Sequence, residues 1–432
     1  MKCPQWILSL IFLSALVSFA NAQQGIIVRD SLGAAGLNAT CLLLDCQVSM
    51  NLGDPAGQVF LVKVNATTDL TVFLTSLLGQ LGVVDAEIDQ QLGLVEAAAG
   101  PVPESLLDQT PIPYYGAAVW DGYANQPAAQ IVSVQQAQST FNVSGAGVVA
   151  MIDTGVDTQH PALVPVLVPG YNFINDTPSG SDTGSLDQSS AALLDGDDPE
   201  PTYLNGTTIA VLSQSSAALL DQPGNADFGH GTMTAGIVHL VAPAAKIMPL
   251  VAFSDNGTGY LSNIIQATYY AVENGAKVIS MSFSFTSPST EMTQAIRTAN
   301  RQGVICVASA GNNGADVVVY PAGIAGVMGV ASTSDLDTRS SFSNYGSDVW
   351  VAAPGEAIVS TYPYGTYSAS WGTSFSAPFV SGTAALLVQV SPKVNQQTAA
   401  SAIANAVPLS SSGMGYGELD VYQAVEAWVN AQ

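Results

Sequence analysis

From residue 148 onward, short and wholly apolar runs alternate with stretches of helical spacing, and this alternation restricts the fold more than any other feature. The runs VVAMID at 148–153, KIMPLV at 246–251, KVISMSF at 277–283 and VICVA at 304–308 lack the in-out alternation of a half-exposed strand. A strand apolar on both sides is covered on both faces, which predicts a parallel sheet between two helix layers. Residues 261–274 supply one helix, with Leu261, Ile264, Ile265 and Val272 on one face and Gly275 closing it. Residues 291–301 supply a second, and Ser391 with Pro392 is expected to open a late one. Sheets of this kind bind ligands at the carboxyl ends of their strands. Those ends are where chemistry-bearing residues should be sought.

Asp153 ends the first run, followed by Thr154 and Gly155. A buried strand therefore delivers a carboxylate at its C-terminal end. In DFGHGT at 227–232, His230 opens a run of small residues that reads as a helix. The run VASAGNNG at 307–314 stops at Asn312, whose side-chain amide at a strand end is a fixed donor suited to an oxyanion. In WGTSFSAP at 371–378, Ser374 follows Gly-Thr and begins an alanine-rich helix, with Pro378 close to its start. Backbone N–H groups without intrahelical partners and the positive dipole end favour negative charge beside Ser374. Serine becomes a good nucleophile only when a base removes its proton, and a histidine oriented by a carboxylate does this.

These four stretches, in the order Asp, His, Asn, Ser, resemble the subtilisin-like serine proteases (subtilases, peptidase S8 family), over roughly residue 118 to the end. The resemblance implies an α/β, subtilisin-like three-layer fold with a central, mostly parallel sheet, preceded by a small α+β propeptide domain. It implies that Asp153, His230 and Ser374 form a catalytic triad and that Asn312 donates to the oxyanion. It implies further that Gly257, Thr258 and Gly259 form an edge that pairs with an extended peptide. Ser282, Phe283 and Ser284, with Ser309, Ala310 and Gly311, match the two walls of the S1 pocket. Ser284 and Phe285 replace the family's frequent Gly-Gly, and Phe375 stands where some subtilases carry methionine. The expected activity is endopeptidase hydrolysis through an acyl-enzyme. The sedolisin pattern, with glutamate where His230 stands, and the G-x-S-x-G pattern of α/β-hydrolases fit less well. A catalytically inactive secreted binding protein with the same fold stays open as the alternative, because of the altered pocket wall.

The 432-residue chain has length for more than one domain. Residues 1–22 read as a secretory signal: Lys2, a short apolar core, and Ala20-Asn21-Ala22 as a cleavage site. Residues 23–115 are expected to form the propeptide, acting as an intramolecular inhibitor, with a strand over 58–64, a helix over 69–81 capped by Thr68, and a strand over 92–95. Residues 116–432 form the catalytic domain, with an acidic insertion at about 176–226 in which QSSAALLD at 188–195 recurs at 214–221. Cys41 and Cys46 are close enough for a local disulfide, and Cys306 reads as a buried thiol. No organic cofactor is expected; a structural calcium ion near Asp195, Asp197, Asp198 or Glu200 stays open. With 33 acidic and 9 basic residues, a net charge of −24 argues against nucleic-acid or anionic-membrane partners. A secreted monomer acting on protein or peptide substrates is expected. No lysine or arginine stands between Lys63 and Lys246, so the join, expected within 104–125, has no basic processing site.

Overall fold

The computed structural model describes residues 23–94, 97–181, 200–203, 208–212 and 227–432, with 200–203 and 208–212 described by backbone alone. The signal sequence, both copies of the QSSAALLD repeat and the acidic cluster suited to calcium lie outside these residues, save for the backbone of Glu200.

Seven strands form the central sheet, in the spatial order Val349–Pro354, Met328–Thr333, Ile305–Ser309, Val278–Met281, Val148–Asp153, Lys246–Val251, Tyr171–Asn172. Every neighbouring pair is parallel. The two-residue period sorts the side chains cleanly. Val149 and Met151 enter one core, while Ala150 and Ile152 enter the other. The first core lies under the helices His230–Val241 and Thr373–Val390, the second under Leu261–Glu273 and Thr290–Arg301. The expected three-layer α/β architecture is present. The Thr373–Val390 helix is the one described helix long and apolar enough to cross a membrane, and it is 89% buried within the protein. It is apolar all round because it lies in the core.

Strand order reverses direction around Val148–Asp153: the chain goes on to Tyr171–Asn172 and Lys246–Val251 on one side, then to Val278–Met281 and beyond on the other. The crevice at that switch opens beside Asp153.

The N-terminal unit is an antiparallel sheet in the order Gln47–Asn51, Val59–Asn65, Gln23–Asp30, Val83–Ile88. The helices Gly33–Leu44 and Leu70–Leu78 cover one face, burying Ile26, Val28, Phe60, Val62, Phe73 and Leu77. The opposite face joins the second core through Ile27, Val59 and Leu61. Charged groups seal this junction. Arg29 forms a two-pronged ion pair with Glu291. Glu87 accepts from the Ser289 hydroxyl at 2.6 Å and the Thr290 and Glu291 N–H groups at 3.2 Å. Asp89 accepts from Ser262 N–H and hydroxyl, both at 2.9 Å. Each carboxylate therefore meets the N-terminal turn of one catalytic-domain helix, where the dipole favours it. Burial raises the pKa of both carboxyls, against the hydrogen bonds that lower it.

Two expectations differ locally. Asp69, not Thr68, caps the Leu70–Leu78 helix, accepting from Thr71 and Val72 N–H. The late helix runs Gln396–Ile403 and starts at a capping box on Asn395, so Ser391 closes the preceding helix instead. The chain around 104–125, where the join is expected, is packed against the rest of the protein. Leu106 is fully buried, Tyr114 donates its hydroxyl to the Leu240 carbonyl at 2.5 Å, and Pro111–Tyr114 pairs with Ala117–Trp120. The Cys41–Cys46 disulfide is present. Cys306 is a buried free thiol, its pKa pushed up to about 12 by burial.

His239, two turns beyond His230 on the same helix, packs edge-on against Tyr114 at 5.8 Å. Neither ring nitrogen has a hydrogen-bond partner among the described residues. Burial first, then nearby His160, pulls its pKa from 6.5 to about 4. The native state therefore keeps His239 neutral, and an unfolded chain takes the proton first. The resulting stability is full above pH 6.5 and is lost as pH falls towards 4, by up to about 1.4 kcal/mol per unit for one proton. In a Ser374→Ala background, His239→Leu should flatten the unfolding midpoint over that window. An unchanged pH slope would exclude His239 as its source.

Candidate active site

Asp153 reaches the crevice because its strand ends there, and its side chain is held on three sides. Oδ1 lies 2.7 Å from His230 Nδ1 and accepts from Thr154 N–H at 2.7 Å. The Thr234 hydroxyl lies 3.1 Å from Oδ2. Thr234 sits one turn along the helix from His230, so one helix presents both groups to one carboxylate. Donation to Asp153 leaves the proton of neutral His230 on Nδ1 and makes Nε2 the acceptor.

Two glycines allow this approach. Gly229 precedes the helix at φ +83°, a conformation side chains resist. A Cβ on Gly231 would lie 2.0 Å from the Gly155 carbonyl oxygen. The helix start is thus pressed onto the loop that follows Asp153, with Gly231 N–H donating to the Thr154 hydroxyl and Asp157 N–H to that of Thr232. The His230 ring lies 5.3 Å from the Phe375 ring.

Ser374 is the second residue of the Thr373–Val390 helix, in the first turn as expected. Pro378 lies within that helix, further in than a helix-start position, and it has no N–H for the Ser374 carbonyl one turn back. That carbonyl instead accepts from the Ser282 hydroxyl at 2.9 Å, while the Ser374 hydroxyl donates to the Ser282 carbonyl at 3.0 Å. Ser282, which the family resemblance puts in the substrate-pocket wall, has a buried side chain that braces the serine. Phe283 and Ala310 are likewise buried, and Ser309 donates to the Phe283 carbonyl at 3.2 Å. The two expected walls are therefore joined to each other, and Ser284 beside Gly311 is the part-exposed side chain of the set. Phe285 pairs through its backbone with Tyr320, both N–H···O at 2.7 Å.

Asn312 follows the Ile305–Ser309 strand. Its Oδ1 accepts from Thr373 N–H at 2.9 Å and Thr373 hydroxyl at 2.8 Å. With the oxygen engaged, the amide nitrogen is turned towards Gly372, beside the serine. The edge strand Thr258–Tyr260 pairs antiparallel with the chain's own Gln91–Gly93, and Leu94 N–H donates to the Gly257 carbonyl at 3.0 Å. Sequence reading did not anticipate Thr154, Thr234 and Thr373. The helical offset from His230 to Thr234 was the available signal for one of them.

Bracing by Ser282 has a testable cost. Ser282→Ala leaves a buried carbonyl unpaired, which should cost about 1–3 kcal/mol of stability. Adding Pro378→Ala supplies an N–H one turn from Ser374 and should recover part of it. Additive losses in the double variant would refute the compensation.

The arrangement matches known proteins. A model described as the subtilase family (peptidase S8) matches residues 145–417. Thermitase of Thermoactinomyces vulgaris is 32% identical over 314 residues, covering 70% of this chain and 96% of that protein. The thermophilic serine proteinase of Bacillus sp. (strain AK1) is 33% identical over 280 residues, covering 64% of this chain and 61% of that protein. Fervidolysin from Fervidobacterium pennivorans, described as a keratinolytic enzyme related to subtilisin, superposes at a TM-score of 0.71. That match has 23% identity and covers 94% of this chain and 61% of that one, so it speaks to fold alone. On its family match and its similarity to thermitase, the chain belongs to the subtilase family of serine-type endopeptidases.

Proposed function

We propose that the protein is a secreted endopeptidase made as a zymogen, with Ser374 as nucleophile, His230 as general base and then acid, and Asp153 orienting the imidazole. The observation that carries this is the 2.7 Å Asp153–His230 contact at the mouth of the helix pair that also bears Ser374. A substrate would lie extended along Thr258–Tyr260, the edge that Gln91–Gly93 now occupies. The Ser374 hydroxyl then turns from the Ser282 carbonyl to His230 Nε2, gives up its proton and attacks the carbonyl carbon. The Asn312 amide and the Ser374 N–H receive the oxyanion. Protonated His230 gives its proton to the departing amine, and water releases the acyl group. These steps are acyl transfer and call for no organic cofactor.

The N-terminal unit acts in this reading as an intramolecular inhibitor. Its occupancy of the edge and its two carboxylates on helix starts support that role. Export rests on the signal-like residues 1–22.

On a peptide substrate, Ser374→Ala should lower kcat by on the order of 10⁶, the loss measured in subtilisin itself. Asn312→Ala should lower it about 10²–10³-fold with KM little changed, again by the subtilisin precedent. A Ser374→Ala enzyme that kept the wild-type rate would overturn the assignment.

A further inference from the structure

Beyond the strand Ile305–Ser309 the chain leaves the sheet, and the turn that carries Asn312 has no ladder to hold it. Its backbone groups need other partners. Gly311 N–H donates to the Thr373 hydroxyl at 3.1 Å. The segment from Phe342 to Tyr345 meets the groups that follow. Asn344 N–H donates to the Gly311 carbonyl at 2.9 Å. Asn344 Oδ1 accepts from Asn313 N–H at 2.9 Å and from Ala315 N–H at 3.3 Å. Gly314 N–H donates to the Phe342 carbonyl at 2.6 Å, and Tyr345 N–H to the Ala315 carbonyl at 3.1 Å. Asn344 thus holds the backbone immediately before and immediately after Asn312.

The fit leaves no slack. Asn344 is fully buried. Gly311 turns at φ +90°, and a Cβ there would lie 2.6 Å from Asn344 Nδ2. Gly314 turns at φ +65°, and a Cβ there would lie 2.7 Å from the Ser341 carbonyl oxygen. Asn344 Nδ2 is buried and has no hydrogen-bond partner among the described residues. Such a donor is costly, so packing alone gives no reason for an amide at this place. Its oxygen does. It meets two N–H groups of the turn at once, and it does so without a negative charge, which would oppose an oxyanion forming nearby.

We propose that Asn344 is a positioning residue for the reaction, fixing the turn so that the Asn312 amide stands where the oxyanion forms. This rests on the reading of Asn312 as oxyanion donor. Asn312 is then mounted at two points. Thr373, next to Ser374 on its helix, sets the rotation of the amide through Oδ1. Asn344 sets the path of the backbone from which that side chain springs. Both are needed, because the end of a side chain is placed no better than its Cα. Oxyanion donors act over a narrow range of distances, and a misplacement of about 1 Å costs on the order of 10²-fold in rate. Asn344 acts from behind the turn, through Asn312.

Peptide hydrolysis by variants expressed as the full chain tests this, with competent sites counted by fluorophosphonate titration so that misfolded protein does not enter kcat. Asn344→Ala should lower kcat about tenfold to a hundredfold, with KM changed less than about threefold. Asn344→Ser keeps an accepting oxygen on a shorter side chain. It should lose less, and it carries the test if the alanine variant does not fold. The same substitutions are then made in an Asn312→Ala background, where the donor is already gone. There each should change kcat less than about twofold, whereas a general loosening of the site would lower it by the same factor as before. Equal losses with and without Asn312, a wild-type kcat in Asn344→Ala, or a loss carried entirely by KM would overturn the positioning role. A wild-type kcat in Asn312→Ala would instead overturn the oxyanion assignment on which it rests.

Discussion

The active site depends on how closely one helix start can approach one strand end. Gly231 lies against the Gly155 carbonyl with no room for a side chain, and this contact sets His230 within 2.7 Å of Asp153. Any Cβ at Gly231 would push the helix away by about an ångström or more, and a hydrogen bond of that length does not survive such a shift. The parallel sheet makes the approach available. Its strand order reverses at Val148–Asp153, so the loops on either side diverge and leave room at the strand end for the helix start that carries His230.

Around that contact the side chains form successive supports. Thr234 and Thr154 hold Asp153, Thr373 orients Asn312, and Ser282 takes the place of the N–H that Pro378 lacks. Thr234, Thr373 and Ser282 act through their hydroxyls, and Thr154 through its backbone N–H. Such groups are inexpensive to bury only when paired, which is why the site carries so many serines and threonines with so little charge.

Much of this was legible in the sequence. The apolar runs at 148–153, 246–251 and 304–308 predicted strands close to those observed, because a strand covered on both faces has a composition no loop tolerates. Asp153, His230, Asn312 and Ser374 stood out because each ends a strand or opens a helix within a motif. The features that were not legible depended on tertiary neighbours. The bracing role of Ser282 shows only once the folded chain sets its hydroxyl against the Ser374 carbonyl. The join was expected within 104–125, and the packing of the hairpin there was not legible because it draws its burial from Leu240 and Tyr367, far away in sequence. The Asn395 capping box was passed over for Ser391-Pro392, a signal of equal local strength that tertiary packing did not use.

The central claim is that one hydroxyl, Ser374, is activated by His230. The most direct test is covalent labelling of the active enzyme with a fluorophosphonate, with the modified residue mapped by mass spectrometry. The account predicts one label per molecule, on Ser374, with complete loss of hydrolysis and no labelling in His230→Ala. A label on another serine, or hydrolysis that continues with Ser374 fully modified, would contradict it.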